Sequence, residues 1–138
     1  MITSRWLLLL LLIFSPIAMA ELEFRDPWIK NLPASVPVRA GYMTIHNPQS
    51  EAVSIVSLRS NAFASIEIHQ TIEQDGMMSM EQLPSLKIES NSSVQLAPGG
   101  LHLMMMNPSE PTQPGDLLEI VVVLDDGSEQ RIEMQVKK

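Results

Sequence analysis

Four residues of two kinds, His69, Met80, His102 and Met104, are placed where short strands could bring imidazole nitrogens and thioether sulfurs to one point. Methionine is the unusual component. Of the ten in the chain, most lie in two clusters, Met77, Met78 and Met80, then Met104, Met105 and Met106, and Met43 stands near His46. Cysteine is absent, so no thiolate is available for metal binding, redox exchange or nucleophilic attack.

Strand geometry gives these residues a common direction. Residues i and i+2 of a strand share a face, so His102 and Met104 point together, with Met106 further along, while Leu101, Leu103 and Met105 point the other way. Upstream, Ser65–Gln82 reads as a hairpin with Glu73-Gln74-Asp75-Gly76 at its turn. That register sets Ile72 opposite Met77 on the core side and His69 opposite Met80 on the polar side, which Met78 shares. Facing the hairpin with the second strand would surround one site with two imidazoles and two thioethers.

Ligand softness selects the ion. Thioether sulfur is soft and neutral and favours Cu(I), whereas zinc, calcium and magnesium prefer thiolate, imidazole or oxygen. A neutral ligand set leaves a +1 complex, which is less costly to desolvate than a divalent one. The expectation is one Cu(I) per chain. The blander readings apply to the neighbours. A methionine stripe is usually gap-filling core, which is the expectation for Met105 and Met77. His46 reads as a satisfied surface residue, Glu67 and Glu73 as solvated surface, and Met78 and Met106 as further ligands or packing beside the site.

The elements carrying these residues are short and numerous. Candidate strands are Glu21–Lys30 (an edge strand, given Pro27), Arg39–His46 ending at Asn47-Pro48, Ala52–Leu58, Ala64–His69, Met77–Gln82, Leu86–Glu89, Ser93–Leu96, Leu101–Met106, Leu117–Leu124 and Glu129–Val136. Asp125-Asp126-Gly127-Ser128 joins the last two as a hairpin, and Asn107–Gly115, with three prolines, reads as a surface loop. Helical periodicity is lacking. The pattern predicts an all-β, single-domain β-sandwich.

Residues 1–20 stand apart. A positive start at Met1–Arg5, the apolar run Trp6–Phe14 and Ala18-Met19-Ala20 form a cleavable secretory signal, too short to be a membrane-spanning helix. Without a cysteine at the cleavage point, lipid attachment is not expected. The mature domain is 21–138, soluble in the periplasm with no membrane anchor after cleavage. Cleavage removes Arg5 from the 9 basic residues against 16 acidic ones, taking the formal net charge from −7 to −8. That balance argues against nucleic acid or an anionic membrane as partner.

The order His69, ten residues, Met80, twenty-one residues, His102, one residue, Met104 resembles the H-x10-M-x21-H-x-M signature of the periplasmic CuA copper chaperones, the PCuAC family. Asp26-Pro27-Trp28, Ala40-Gly41-Tyr42-Met43 with Asn47, Asp75-Gly76, and Gly99-Gly100-Leu101-His102-Leu103-Met104 fit as well. The resemblance spans nearly all of 21–138. It implies a cupredoxin-like Greek-key β-sandwich that holds Cu(I) near its surface. It also implies delivery to the CuA site of cytochrome c oxidase subunit II, or to a thiol-containing copper assembly protein. The His- and Met-rich tail that gives some relatives a Cu(II) site is not found after Met134.

Other classes fit less well. A blue-copper electron carrier needs a cysteine ligand, a copper oxygenase with an N-terminal histidine conflicts with a start at Glu21, and haem attachment lacks Cys-x-x-Cys-His. No catalytic arrangement is visible, so an enzyme is not expected. The rivals are periplasmic copper storage or detoxification, and a metal-free adaptor using its methionine patch.

Overall fold

The computed structural model describes Ile13 and residues 21–138; the leader expected over 1–20 otherwise lies outside the described residues. Ten strands follow one another: β1 Glu23–Lys30, β2 Val38–Asn47, β3 Val53–Arg59, β4 Phe63–Gln74, β5 Met77–Leu83, β6 Leu86–Ile88, β7 Ser92–Leu96, β8 Leu101–Pro108, β9 Leu117–Leu124 and β10 Glu129–Lys137. Among the described residues there is no helix, and hence none that could cross a membrane. The all-β expectation holds.

The strands run β5-β4-β8-β2-β1-β10-β9-β3-β6. A further pairing of Leu58 with Ile66 joins β3 back to β4, so seven strands roll into a closed sandwich. Alternation along each strand sends one set of side chains inward. Ile29, Ile45, Ile55, Leu103, Met105 and Met134 are all buried in this core. Apolar burial of this kind, worth roughly 25 cal/mol per Å², holds the two layers together without a disulfide.

Two expectations change. β1 is an interior strand, paired antiparallel with β2 and parallel with β10. Pro27 is tolerated because the register slips between Arg25 and Trp28. Asp26 takes φ 50° there, a bulge in which the missing N–H removes no ladder bond. In the β4–β5 hairpin, Gln74 pairs with Met77, Ile72 with Ser79, Thr71 with Met80 and His69 with Gln82. The turn therefore holds only Asp75 and Gly76, at φ 53° and 74°, as a tight hairpin with two left-handed residues requires. The pairing of His69 with Met80 and of Ile72 with Met77 is two residues out. Because the slip is even, each side chain keeps its face. Met77 is not core: it stands at the hairpin tip, 74% exposed.

Two polar side chains fix the loops. Asn47 is buried; its amide donates to the carbonyls of Glu51 and Ile88, and its oxygen accepts from the Gln49 N–H. Arg39, also buried, donates to Thr112 Oγ1 and to the carbonyls of Val36 and Val38. Thr112 in turn donates to Asn31, so the Asn31–Pro37 segment and the Asn107–Gly115 loop are tied together at one end of the sandwich.

Candidate metal centre

The site is built on the outward faces of β4, β8 and β2, with β5 alongside. His69 and His102 are direct partners across the antiparallel β4–β8 pair, and Glu67 is the partner of Met104. On its other side Met104 pairs with Ala40 of β2, whose small side chain leaves room for the thioether.

The route of the chain into β8 explains how His102 is placed. Both β7 and β8 pair with β2, through Met43–Leu96 and Gly41–Leu103 respectively. Between those pairs β2 advances two residues while the facing chain passes through the Ala97–Leu101 loop. Gly99 takes φ 84° in this loop, which closes on itself through Ala97 N–H to Leu101 O and Gly100 N–H to Ala97 O. His102 is the first side chain after the loop to face the site.

The rings of His69 and His102 lie with centroids 5.9 Å apart, inclined at 43°. An ion about 2 Å from one nitrogen of each ring would set the centroids roughly 5–6 Å apart, so the observed spacing admits one ion between them. His69 Nε2 lies 2.7 Å from Glu67 Oε2 and His102 Nδ1 lies 3.0 Å from Gly100 O. The other nitrogens, His69 Nδ1 and His102 Nε2, are buried with no hydrogen-bond partner. An unpaired buried polar atom costs about 1–3 kcal/mol, so an unfilled pair at one place marks a position suited to a ligand.

Met80, His102 and Met104 line one cleft of about 160 Å³ with Leu32, Tyr42 and Thr71 among its walls. His69 is not part of that lining; it joins the group through its ring contact with His102. His102 is only 5% exposed, while Met80 is 59% exposed, so the cleft is closed at the imidazole and open at the thioether. Trp28 packs against Tyr42 with ring centroids 4.9 Å apart and planes inclined at 44°, and burial raises the Tyr42 phenol above its ordinary pKa. Among the described residues no three of His, Cys, Asp and Glu form a metal-binding group. A larger concavity, about 350 Å³ near Arg59, Leu117 and Glu119, holds no His or Met.

The remaining expectations divide. Met105 is buried core on the far face of β8, and His46 is satisfied by Ser93 Oγ at 2.8 Å. Met43 is core. Met78 lies on the His69 side of the hairpin but is exposed near its tip, and Met106 is half-buried. Glu67 is not free surface: it bonds His69. Glu67 precedes His69 by two, the spacing that joins His102 to Met104, but among 16 acidic residues that cue does not single it out.

A family model described as "Putative lipoprotein LpqE-like" matches residues 22–136. The chain belongs to the LpqE-like family. The family's description names a lipoprotein, whereas the 138 residues contain no cysteine. This LpqE-like chain is 31% identical over 124 residues to the uncharacterized protein RP573 of Rickettsia prowazekii, covering 86% of this chain and 68% of that one. It is similar in structure to the copper-bound PCuAC domain from PmoF2, with a TM-score of 0.72 at 20% identity, covering 84% of this chain and 92% of that one. CuI-DR1885 from Deinococcus radiodurans matches with a TM-score of 0.68 at 26% identity, over 82% of this chain and 76% of that one. The PCuAC resemblance read from the sequence is thus borne out, and the fold is the cupredoxin-like sandwich of those domains.

Proposed function

We propose that this protein is a periplasmic copper chaperone that holds one Cu(I) through His69, Met80, His102 and Met104. It would pass the ion to the CuA site of cytochrome c oxidase subunit II or to a thiol-containing copper assembly protein. One observation carries the reading: two buried, unpartnered imidazole nitrogens belong to rings 5.9 Å apart, beside two thioethers on neighbouring strands. Two neutral nitrogens and two neutral sulfurs suit a soft monovalent ion. The copper-bound PmoF2 domain and CuI-DR1885, similar in fold, support the choice of metal. Residues 1–20 would direct export, in keeping with a family described as lipoproteins.

The uneven burial supports transfer by ligand exchange. An acceptor thiolate would displace the exposed Met80 first, and the imidazoles would let go once a stronger sulfur ligand holds the ion. Anaerobic titration against a chromogenic Cu(I) chelator tests the binding. One equivalent is expected for the wild type, and a weakening of tenfold or more, about 1.4 kcal/mol, for His102→Ala with Met104→Ala. Absence of stoichiometric Cu(I) uptake by the wild type overturns the proposal. Loss of oxidase activity in a deletion strain, restored by the wild type and not by the double variant, would support delivery.

A further inference from the structure

The two histidines leave opposite nitrogens unpartnered, Nδ1 in His69 and Nε2 in His102. Which nitrogen is engaged decides this. His69 Nε2 faces a carboxylate oxygen at 2.7 Å, and a carboxylate oxygen only accepts, so Nε2 carries the proton. His102 Nδ1 faces the Gly100 carbonyl at 3.0 Å, another pure acceptor, so in that ring Nδ1 carries it. A neutral imidazole has one donor and one acceptor nitrogen, which leaves a bare lone pair at Nδ1 of His69 and at Nε2 of His102.

The two arrangements differ in kind. For His102 the acceptor is main chain: the Gly100 carbonyl also takes the Thr71 N–H at 3.2 Å, so it is held between β8 and β4 and no side-chain substitution removes it. For His69 the acceptor is one side chain. Glu67 sits on the same face of β4, two residues back, its side chain 31% exposed and that of His69 14%. No other hydrogen bond is made by either side chain of the pair within the described residues.

Building on the copper reading above, we infer that Glu67 is the positioning residue of the site. It holds His69 in the Nε2–H form and turns Nδ1 toward the ion, so the cargo is taken by Nδ1 of one histidine and Nε2 of the other. Its charge also strengthens the donor power of the ring it holds. Outer partners of this kind fix tautomer and ring orientation, and their removal typically weakens metal binding 10–100-fold.

The chain has three histidines, which keeps a nitrogen-15 spectrum of the imidazoles readable. In the apo protein, long-range proton–nitrogen correlation is expected to find His69 protonated at Nε2 and His102 at Nδ1. Anaerobic addition of Cu(I) should shift Nδ1 of His69 and Nε2 of His102. Glu67→Ala should weaken Cu(I) binding by roughly 10–100-fold and speed solvent exchange of the His69 Nε2–H. Glu67→Gln, which keeps an acceptor oxygen, should restore most of both. Melting temperatures of the two variants near that of the wild type separate positioning from a fold defect. A Cu(I) shift at Nε2 of His69, or a Glu67→Ala protein that binds as tightly as wild type, overturns the inference and leaves the copper reading intact. A wild type that takes up no Cu(I) overturns both.

Discussion

A thioether is a weak ligand on a flexible arm, so its place on a strand decides whether it can join a site. Met77, Met78 and Met80 show this within four residues: Met80 and Met78 share the face of His69, while Met77 faces the other way and is the most exposed of the three. Met80→Ala is therefore expected to weaken Cu(I) retention about tenfold or more, or ~1.4 kcal/mol, and Met77→Ala to leave it within about twofold by the same competition assay. Equal losses at the two positions would mean that the methionines act as an undirected patch. The residues with distinctive chemistry are legible in the amino-acid sequence, because histidine and clustered methionine are scarce signals. Glu67 is not, because in a chain with 16 acidic residues one more carboxylate carries little information without its partner at 2.7 Å. Met77 reads as core for a related reason: methionine fits a core as readily as a surface, and composition does not tell which.

At the scale of elements, strand existence is readable from alternation and turn residues, and pairing is less so. The Asp75-Gly76 turn is recognisable but reads too long, since nothing local distinguishes a four-residue turn from a two-residue one without both left-handed φ values. Facing is preserved because faces repeat every second residue. The neighbours of β1 are hidden because Pro27 argues for an edge, whereas the bulge at Asp26 places it harmlessly inside. One position in β2 shows how tightly the layers meet behind the site. A Cβ at Gly41 would lie 3.2 Å from Leu103 Cβ, 3.2 Å from Met134 Cε and 3.3 Å from Met105 Sδ. The methionine ends could shift, but Leu103 Cβ is fixed to β8, the strand that carries His102 and Met104. Gly41→Ala should cost about 1–3 kcal/mol through overpacking, seen as a lower denaturation midpoint with an unchanged slope. A midpoint equal to wild type would mean that β8 can move away from β2 at no cost.

For the whole molecule, strands β3, β9 and β10 contribute Ile55, Ile120, Val122 and Met134 to the core and add exposed charge pairs on their outer face. Strand β9 lies between β3 and β10, and Arg59 of β3 reaches Glu129 of β10 at 2.9 Å, with Arg131 on Glu119 beside it at 2.8 Å. The bond from Arg59 holds the Glu129 carboxyl below its ordinary pKa, with the charges of Arg59 and Arg131 adding to it; Asp126 is lowered by its bonds from Ser128. A carboxyl whose folded pKa is lowered stabilises the fold above its unfolded value, about 4.3 for glutamate. That contribution fades as pH falls through the lowered folded value, because the unfolded chain takes up the proton first. Both partners are exposed, so the effect is modest and screened by salt. Glu129→Gln should therefore melt slightly below wild type at pH 7 and lose less stability than wild type as the pH falls below about 4.3, the unfolded glutamate value. Repeating the melts in about 1 M salt, where the screening length falls to roughly 3 Å, should bring the two proteins' pH profiles together. Parallel profiles at low salt would show that the pair only decorates the surface. Because the Arg59–Glu129 pair joins β3 to β10 and the imidazoles lie on β4 and β8, the same substitution should leave Cu(I) affinity at pH 7 unaltered, which separates acid loosening of the sandwich from any change at the metal centre.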